Sequence, residues 1–531
     1  MKTIFTLLFP LLACLGTAQA QAYPEPARRK GYSVLALGQT LKTAVAEDGI
    51  YKIGYEDLAR HGLLSQPVPS YKIALYGNAA GMLPFFNTEG IPDDLSPLPV
   101  QMHDGGDDRF GPGDYFLFYG QSPHRWHYDA SDDDFSYTRH YFCDSSFYFV
   151  SINAEMEHRV ASSPGTESDG ERLTWFPERI RHENDLTNLC NGGLDWLGEV
   201  FSFSGNHLGL ALSTPDPVNG MDGKLHVASG AKTTGGTATF RMQFNQKTLT
   251  LFHPGIAEGT AYSAADQAAR VQVTSNTSML DISFSKTGST GNGYLNYVSL
   301  IYPRYLRLNG AALFFRHPEA MEQSVRFSLE AAAGTRIWDI TDIYHIASIP
   351  TRPENGRLVF GTRPDNTLHE YVAFNPDACP SPAFKGLVKP QNLHQLENAD
   401  YVVVTHPLFL EQAQEVARLH RERDGYSVCV ATTEEVYNEF SSGAKDPSAI
   451  RLFLRHLDKR SDSAHRPRSL LLFGATSFDY KNVDGLTDFV PTLQSKGRSN
   501  EGGNDPLEDI FGYLADEAGI DPANQKARGS L

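Results

Sequence analysis

Between Asp400 and Tyr480, short apolar runs alternate with segments of helical period. Tyr401-Val402-Val403-Val404-Thr405 is a continuous β-branched run of the kind that is buried on both faces of a sheet. Phe409, Ala413, Val416, Ala417 and His420 then fall on one helical face, with Glu411, Gln412, Glu415 and Arg418 opposite and Gly425 placed to stop the helix. Ser427 to Ala431 reads as a second buried strand. Asp446-Pro447 opens another helix, since Asp caps well and Pro at the first position gives up an N–H that had no partner. Its stripe is Ile450, Phe453, Leu454 and Leu457, and Ser469 to Phe473 is a third buried strand ending at Gly474. Strand–helix–strand–helix–strand at this spacing predicts a parallel sheet with right-handed crossovers. Chemistry in such sheets sits beyond the carboxyl ends of the strands, here Thr405-His406, Thr432-Thr433 and Gly474-Ala475-Thr476.

Upstream the period is two. Residues 21–190 form an N-terminal β-rich domain with aromatic strands at Phe116 to Gly120 and Tyr148 to Ile152. Residues 191–335 read as a β-sandwich: Ala238, Phe240, Met242 and Phe244, then Leu280, Ile282 and Phe284, then Val325, Phe327 and Leu329, each alternate with polar neighbours and are separated by Gly/Ser/Thr/Asn turns. Residues 336–398, with prolines at 376, 380, 382 and 390, are expected to connect these units to an α/β subdomain over 399–531. Near the end, Asp505-Pro506-Leu507-Glu508 predicts a capping box, followed by a short apolar face of Leu507, Ile510, Phe511 and Leu514.

Composition changes this picture little. The 531 residues are 40% hydrophobic and 21% charged, ordinary globular material of several domains. A net charge of −17 argues against nucleic acid and against an anionic membrane surface as partners. At the start, Lys2, an apolar run from Ile4 to Leu12 and Ala18-Gln19-Ala20 match a signal peptide over 1–20 and imply export to the cell surface, outer membrane or periplasm. Leu12-Ala13 before Cys14 leaves a lipoprotein signal as the rival reading. No later segment is apolar and long enough for a transmembrane helix.

Candidate chemistry is sparse. Cys143, Cys190, Cys379 and Cys429 match no zinc spacing, and Cys429, in mid-strand, reads as a small buried hydrophobe rather than a nucleophile. One disulfide among the four is open in an oxidising compartment. Asp104-Gly105-Gly106-Asp107-Asp108 through Asp114 is either a calcium loop or a turn rich in its own right in Asp and Gly, without the EF-hand order. Asp132-Asp133-Asp134 reads as a solvated loop. His406 is the best-placed imidazole, yet Pro407 beside it suggests a loop entering a helix; His456 reads as a surface residue of its helix; Thr476, Ser477 and Asp479 read as loop chemistry.

Several blocks carry a resemblance. Val436 to Gly443, Asp446 to Arg451 and Leu470 to Tyr480 resemble the gingipain family of cysteine peptidases and, within it, the sortases of the type IX secretion system. Leu75 to Asn78, Leu83-Pro84, Asp114 to Tyr119, Trp196 to Glu199, Asn296 to Leu300, Trp338 to Thr341, Tyr371 to Phe374 and Gln391 to His394 also resemble that sortase pattern, while Ala475 stands where the family is expected to have Asp. The resemblance implies a multidomain protein: a β-rich region and a sandwich, then an incomplete caspase-like, gingipain-type α/β domain. It implies a cysteine endopeptidase or transpeptidase that removes C-terminal sorting signals from cargo proteins, alongside other secretion-system components. The family works with a Cys nucleophile and a His in a Gly-His-Gly context. No Gly-His-Gly occurs here and every Cys lies upstream of the expected place, so this chain is expected to be the N-terminal part, truncated before the pair and inactive alone, with no catalytic, cofactor-binding or metal residue assigned. The alternative is a non-catalytic cell-envelope binding or scaffold module.

Overall fold

The structure, a computed structural model, describes residues 31–88, 91–288, 290–496, 506–523 and 526–528. The expected signal peptide and Cys14 lie outside these residues, as does Asp505 of the expected capping box. Glu508–Gly512 forms a 3-10 turn with Leu507 at its cap, in place of a box-capped helix, and Leu507, Ile510 and Phe511 are buried as the apolar pattern requires.

The N-terminal body is built on an antiparallel five-stranded sheet in the order Ala383–Val388, Thr40–Val45, Ser146–Ser151, Ala74–Gly77, Ser96–Leu98. A three-stranded sheet of Gly49–Gly54, Tyr115–Gly120 and Gln101–His103 packs beside it. Leu41, Ile53, Phe116, Phe118, Tyr148 and Trp338 share their core. Residues 336–398 therefore connect the units while supplying strands and core side chains of their own. The prolines flag the breaks between those strands and do not register the strands themselves.

The sandwich has a five-stranded layer, in which Val200–Phe201 also pairs with Asn292–Tyr305, and a four-stranded layer. One runs Trp175–His182, Asn292–Tyr305, Asp222–Lys232, Ser263–Gln272; the other runs His207–Ser213, Thr277–Lys286, Ala238–Phe244, Lys247–His253. Phe240, Met242, Phe244, Leu280, Ile282 and Phe284 fill the space between them, so the alternation in sequence is the inward face. Val325–Leu329 is a strand, as its alternation requires, but it pairs with Arg357–Thr362 and Glu171–Leu173 in a separate sheet. Alternation tells which face is buried and not which distant strand will be the partner.

The C-terminal unit is parallel. Tyr401–Thr405 lies between Val428–Thr432 and Ser469–Phe473, in register Tyr401 with Val428 and with Ser469. Val402 and Val404 pack with Ala431, Ile450, Phe453 and Leu457 from the flanking strand and the helix Pro447–Arg460. The helix Leu410–Arg423 buries Ala413 and Ala417. Only the central strand is buried along nearly its whole length; Leu470 to Phe473, expected to be buried on both faces, are half-buried because theirs is an outer strand of the described sheet. Thr433–Phe440 is a further helix, opened by a Thr432/Glu435 capping box that the sequence shows as Thr-x-x-Glu. Among the described residues no helix is long and apolar enough to cross a membrane.

Candidate functional site

The three carboxyl strand ends meet as expected for a parallel sheet. Thr405 Oγ1 donates to the Phe473 carbonyl at 2.9 Å, tying the first strand end to the third. Thr432 is spent as a helix cap, accepting from the Glu435 N–H at 3.2 Å. His406 Nδ1 accepts from the Leu408 N–H at 3.2 Å, and its ring stands edge-on to Phe489. Burial lowers its pKa. The imidazole nearest the expected site thus caps the turn Pro407–Phe409, the local role that Pro407 suggests.

The loop after the third strand is a closed polar network. Asp488 Oδ1 accepts from the Ser477 N–H at 2.9 Å and Lys445 Nζ sits 2.7 Å from Asp488 Oδ2. Ser477 Oγ accepts from the Asp479 N–H at 3.0 Å, while the Asp479 carboxylate accepts from Val483 and Asp484 at 2.6 and 2.7 Å. Every polar side chain that the sequence singles out here is engaged in shaping the loop. The Lys445–Asp488 pair has no spacing signal, since its partners lie on different elements.

Cys143, Cys379 and Cys429 are held in their un-ionised form. Burial pushes Cys429 up to about 12 and Cys379 up to about 11, and raises Cys143 as well. Cys143 Sγ donates to the Ser145 carbonyl at 3.3 Å. His140 is near Cys143, but its Nδ1 accepts from the main-chain N–H of Cys143 at 3.1 Å, and burial drives its pKa down to about 3. With Nδ1 occupied by main chain and the protonated ring disfavoured by burial, this imidazole is a poor base for that sulfur.

In the Asp104–Asp114 loop the carboxylates serve the turn. Asp104 accepts from Ser70 Oγ at 2.5 Å and from the Gly106 N–H at 3.1 Å, and Asp114 accepts from the Gly111 N–H at 2.6 Å. Asp133 adopts φ 47° at the tip of a hairpin and Asp134 faces His226 at 3.2 Å.

The feature that the sequence does not show is a cleft of about 640 Å³ between the hairpin segment, the sandwich and the loops of the α/β unit. Tyr137, Arg181, Tyr297, Trp196 and Lys496 line it. The Arg181 guanidinium lies 3.5 Å from the centre of the Tyr297 ring, and Lys496 Nζ donates to Tyr141 Oη at 2.9 Å. Trp196 is 6.1 Å from Phe478 of the loop after the third strand, so the cleft runs alongside the strand ends. Aromatic faces interleaved with ion pairs suit an extended polar chain such as a peptide.

Residues 394–526 match the family model for peptidase family C25. No curated protein matches the chain. Among solved structures, dimeric latent PorU from Porphyromonas gingivalis is similar at 23% identity and TM-score 0.79, over 91% of this chain and 46% of that one. The chain thus spans about half the length of that relative. TmCBM61 in complex with β-1,4-galactotriose (15% identity, 26% of this chain, 94% of that one, TM-score 0.15) and the cycloalternan-forming enzyme of Listeria monocytogenes (11%, 50% and 19%, TM-score 0.16) are too distant in fold to carry an argument. The 394–526 segment thus resembles peptidase family C25, the gingipain family of cysteine peptidases, and over most of its length the chain has the fold of PorU.

Proposed function

We propose that this chain is part of a type IX secretion sortase, a gingipain-type cysteine endopeptidase or transpeptidase that removes C-terminal sorting signals from exported cargo at the cell envelope. The observation that carries the reading is the C25 match over the parallel α/β unit, set in a chain whose fold follows PorU over 91% of its length. Cargo is proposed to approach along the cleft beside Trp196 and Tyr297, which opens next to the strand ends.

Three of the described thiols support a second element of the proposal. Cys143, Cys379 and Cys429 are all raised by burial, so the 531-residue chain is proposed to lack peptidase activity by itself. The test has two arms. Deleting the gene in its host should leave cargo with uncleaved C-terminal signals; normal processing would refute the sortase reading. Incubating the purified chain with a sorting-signal substrate should give no cleavage that iodoacetamide blocks, and such cleavage would refute the inactivity. Processing that survives deletion, together with tight binding of a cargo sorting domain by the chain, would favour an envelope binding or scaffold module.

A further inference from the structure

Away from the strand ends, three side chains from distant segments converge. Asp93 lies on a loop of the N-terminal body, His394 in the turn Leu393–Gln395, and His456 on the helix Pro447–Arg460. One ligand atom of each lies within 4.8 Å of the other two; among the described residues this is the one such trio of His, Cys, Asp or Glu. His456 Nδ1 and Asp93 Oδ1 are 3.7 Å apart.

Each imidazole is oriented through its other nitrogen. His456 Nε2 is 3.0 Å from the His394 carbonyl, so it carries the proton and leaves a lone pair on Nδ1, facing Asp93. His394 Nδ1 is 2.5 Å from Glu439 Oε2. Glu439 is buried and is itself fixed by the N–H groups of Leu393 and His394 at 2.8 and 3.2 Å. The remaining nitrogen of His394, Nε2, points to Asp93 and meets its main-chain carbonyl at 2.5 Å. Carboxylate–imidazole and carbonyl–imidazole bonds of this kind are how proteins set the ring and tautomer of a metal ligand.

We propose that Asp93, His394 and His456 form a site for a divalent transition-metal ion of the zinc class. Two imidazole nitrogens and a carboxylate oxygen suit such an ion better than calcium or magnesium, which prefer oxygen alone. Bonds of ~2.1 Å in a tetrahedral site put ligand atoms ~3.4 Å apart, so the pair at 3.7 Å closes slightly while His394 Nε2 and the Asp93 carbonyl, now 2.5 Å apart, open to admit the ion. The Asp93 carbonyl or water supplies the fourth position. The ion takes the place of the proton that His394 Nε2 donates to that carbonyl, and this proton leaves to solvent. Entry is from a cleft of about 570 Å³ lined by Asp93, Asp94, Glu155 and Glu157, whose carboxylates attract cations. Since Asp93 belongs to the N-terminal body and both histidines to the α/β unit and its approach, the ion is a staple between the two.

The test uses the full chain, stripped with a chelator and titrated with zinc chloride by calorimetry, with thermal unfolding followed in parallel. One zinc per chain should bind and raise the unfolding temperature. Asp93→Asn, at an exposed position, and His456→Gln should each weaken binding at least about tenfold while unfolding like the wild type in the absence of zinc. His465→Ala, an exposed histidine on the loop after the His456 helix, should bind zinc unchanged. Absence of saturable uptake, or uptake that is the same in Asp93→Asn and His456→Gln as in the wild type, would overturn the proposal.

Discussion

Lys42, on a strand of the N-terminal body, donates through Nζ to Oδ1 of Asn438 at 2.8 Å and to the Gly443 carbonyl at 3.1 Å. The ammonium is buried, and desolvation lowers its pKa to about 8. It also lies over the Phe147 ring at 4.5 Å. This contact gives physical meaning to one block of the family resemblance, Val436 to Gly443. Asn438 receives Lys42, Glu439 holds His394, and Ser442 Oγ accepts from the Asn78 N–H at 3.1 Å. In this structure the block docks one unit on another through these contacts.

Gly443 cannot be enlarged at that junction. Its φ is +85°, and an added Cβ would stand 2.8 Å from Lys42 Cε and 3.0 Å from Phe147 Cβ. Gly443→Ala should destabilise the chain by about 1–3 kcal/mol, read as a lower urea midpoint. An unchanged midpoint would show that the seam does not contribute to stability.

Arg451 should be harder still to replace. Its side chain is fully buried and donates to the main-chain carbonyls of Pro84, at 2.7 Å, and Phe85. Arg451→Met fills much of the volume but takes this donor from two part-buried carbonyls. A loss on the order of 2–4 kcal/mol is expected. Arg451→Lys should recover only part of it, because an ammonium lacks the fork that spans both oxygens. Equal stability of the Lys variant and the wild type would contradict the geometry.

His369 gives a pH dependence with a definite sign. Its Nδ1 is 2.7 Å from Asp339 Oδ2 and its Nε2 is 3.0 Å from Asp365 Oδ2. The Asp339 hydrogen bond, opposed by burial, raises its pKa from near 6.5 to about 9. The folded state therefore holds the proton more tightly than the unfolded one. Its stabilising effect is complete below about 6.5 and disappears as pH rises through about 9. His369→Gln should flatten the fall in stability across that window in a series of urea melts. An identical slope in the variant would remove His369 as its source.

Thiol labelling checks the state of the thiol in the second parallel strand. With its pKa pushed up to about 12, Cys429 is a thiolate in fewer than about one molecule in a thousand at pH 8. Iodoacetamide should modify it slowly in the native chain and quickly in urea, as mass spectrometry of the labelled peptides would show. Rapid native labelling would mean that the strand exposes a reactive sulfur.

The parallel unit was legible because its signals are local: β-branched runs, Asp446-Pro447, and stripes such as Ile450, Phe453 and Leu457. The inward face of the sandwich was legible for the same reason at Phe240 and Met242. What was not legible depends on long-range pairing. Val325–Leu329 announces a strand but not its partners, and Leu470 announces an apolar run but not its outer position in the sheet. The cleft beside Trp196 and the convergence of Asp93, His394 and His456 are assembled from segments up to several hundred residues apart, and no spacing encodes them. His456 in particular reads as a surface residue until the Asp93 loop is laid against its helix.

The Arg451 anchor has a consequence for motion. It grips backbone and not side chain, and it is joined along the same seam by Leu83 N–H to Asp446 at 3.0 Å and Asn87 Nδ2 to the Tyr513 carbonyl at 2.8 Å. A hinge needs a sparse boundary where a few torsions can turn freely. With these polar ties, the three parallel strands and the β body are held as one piece, and any opening or closing has to be carried by other parts of the molecule.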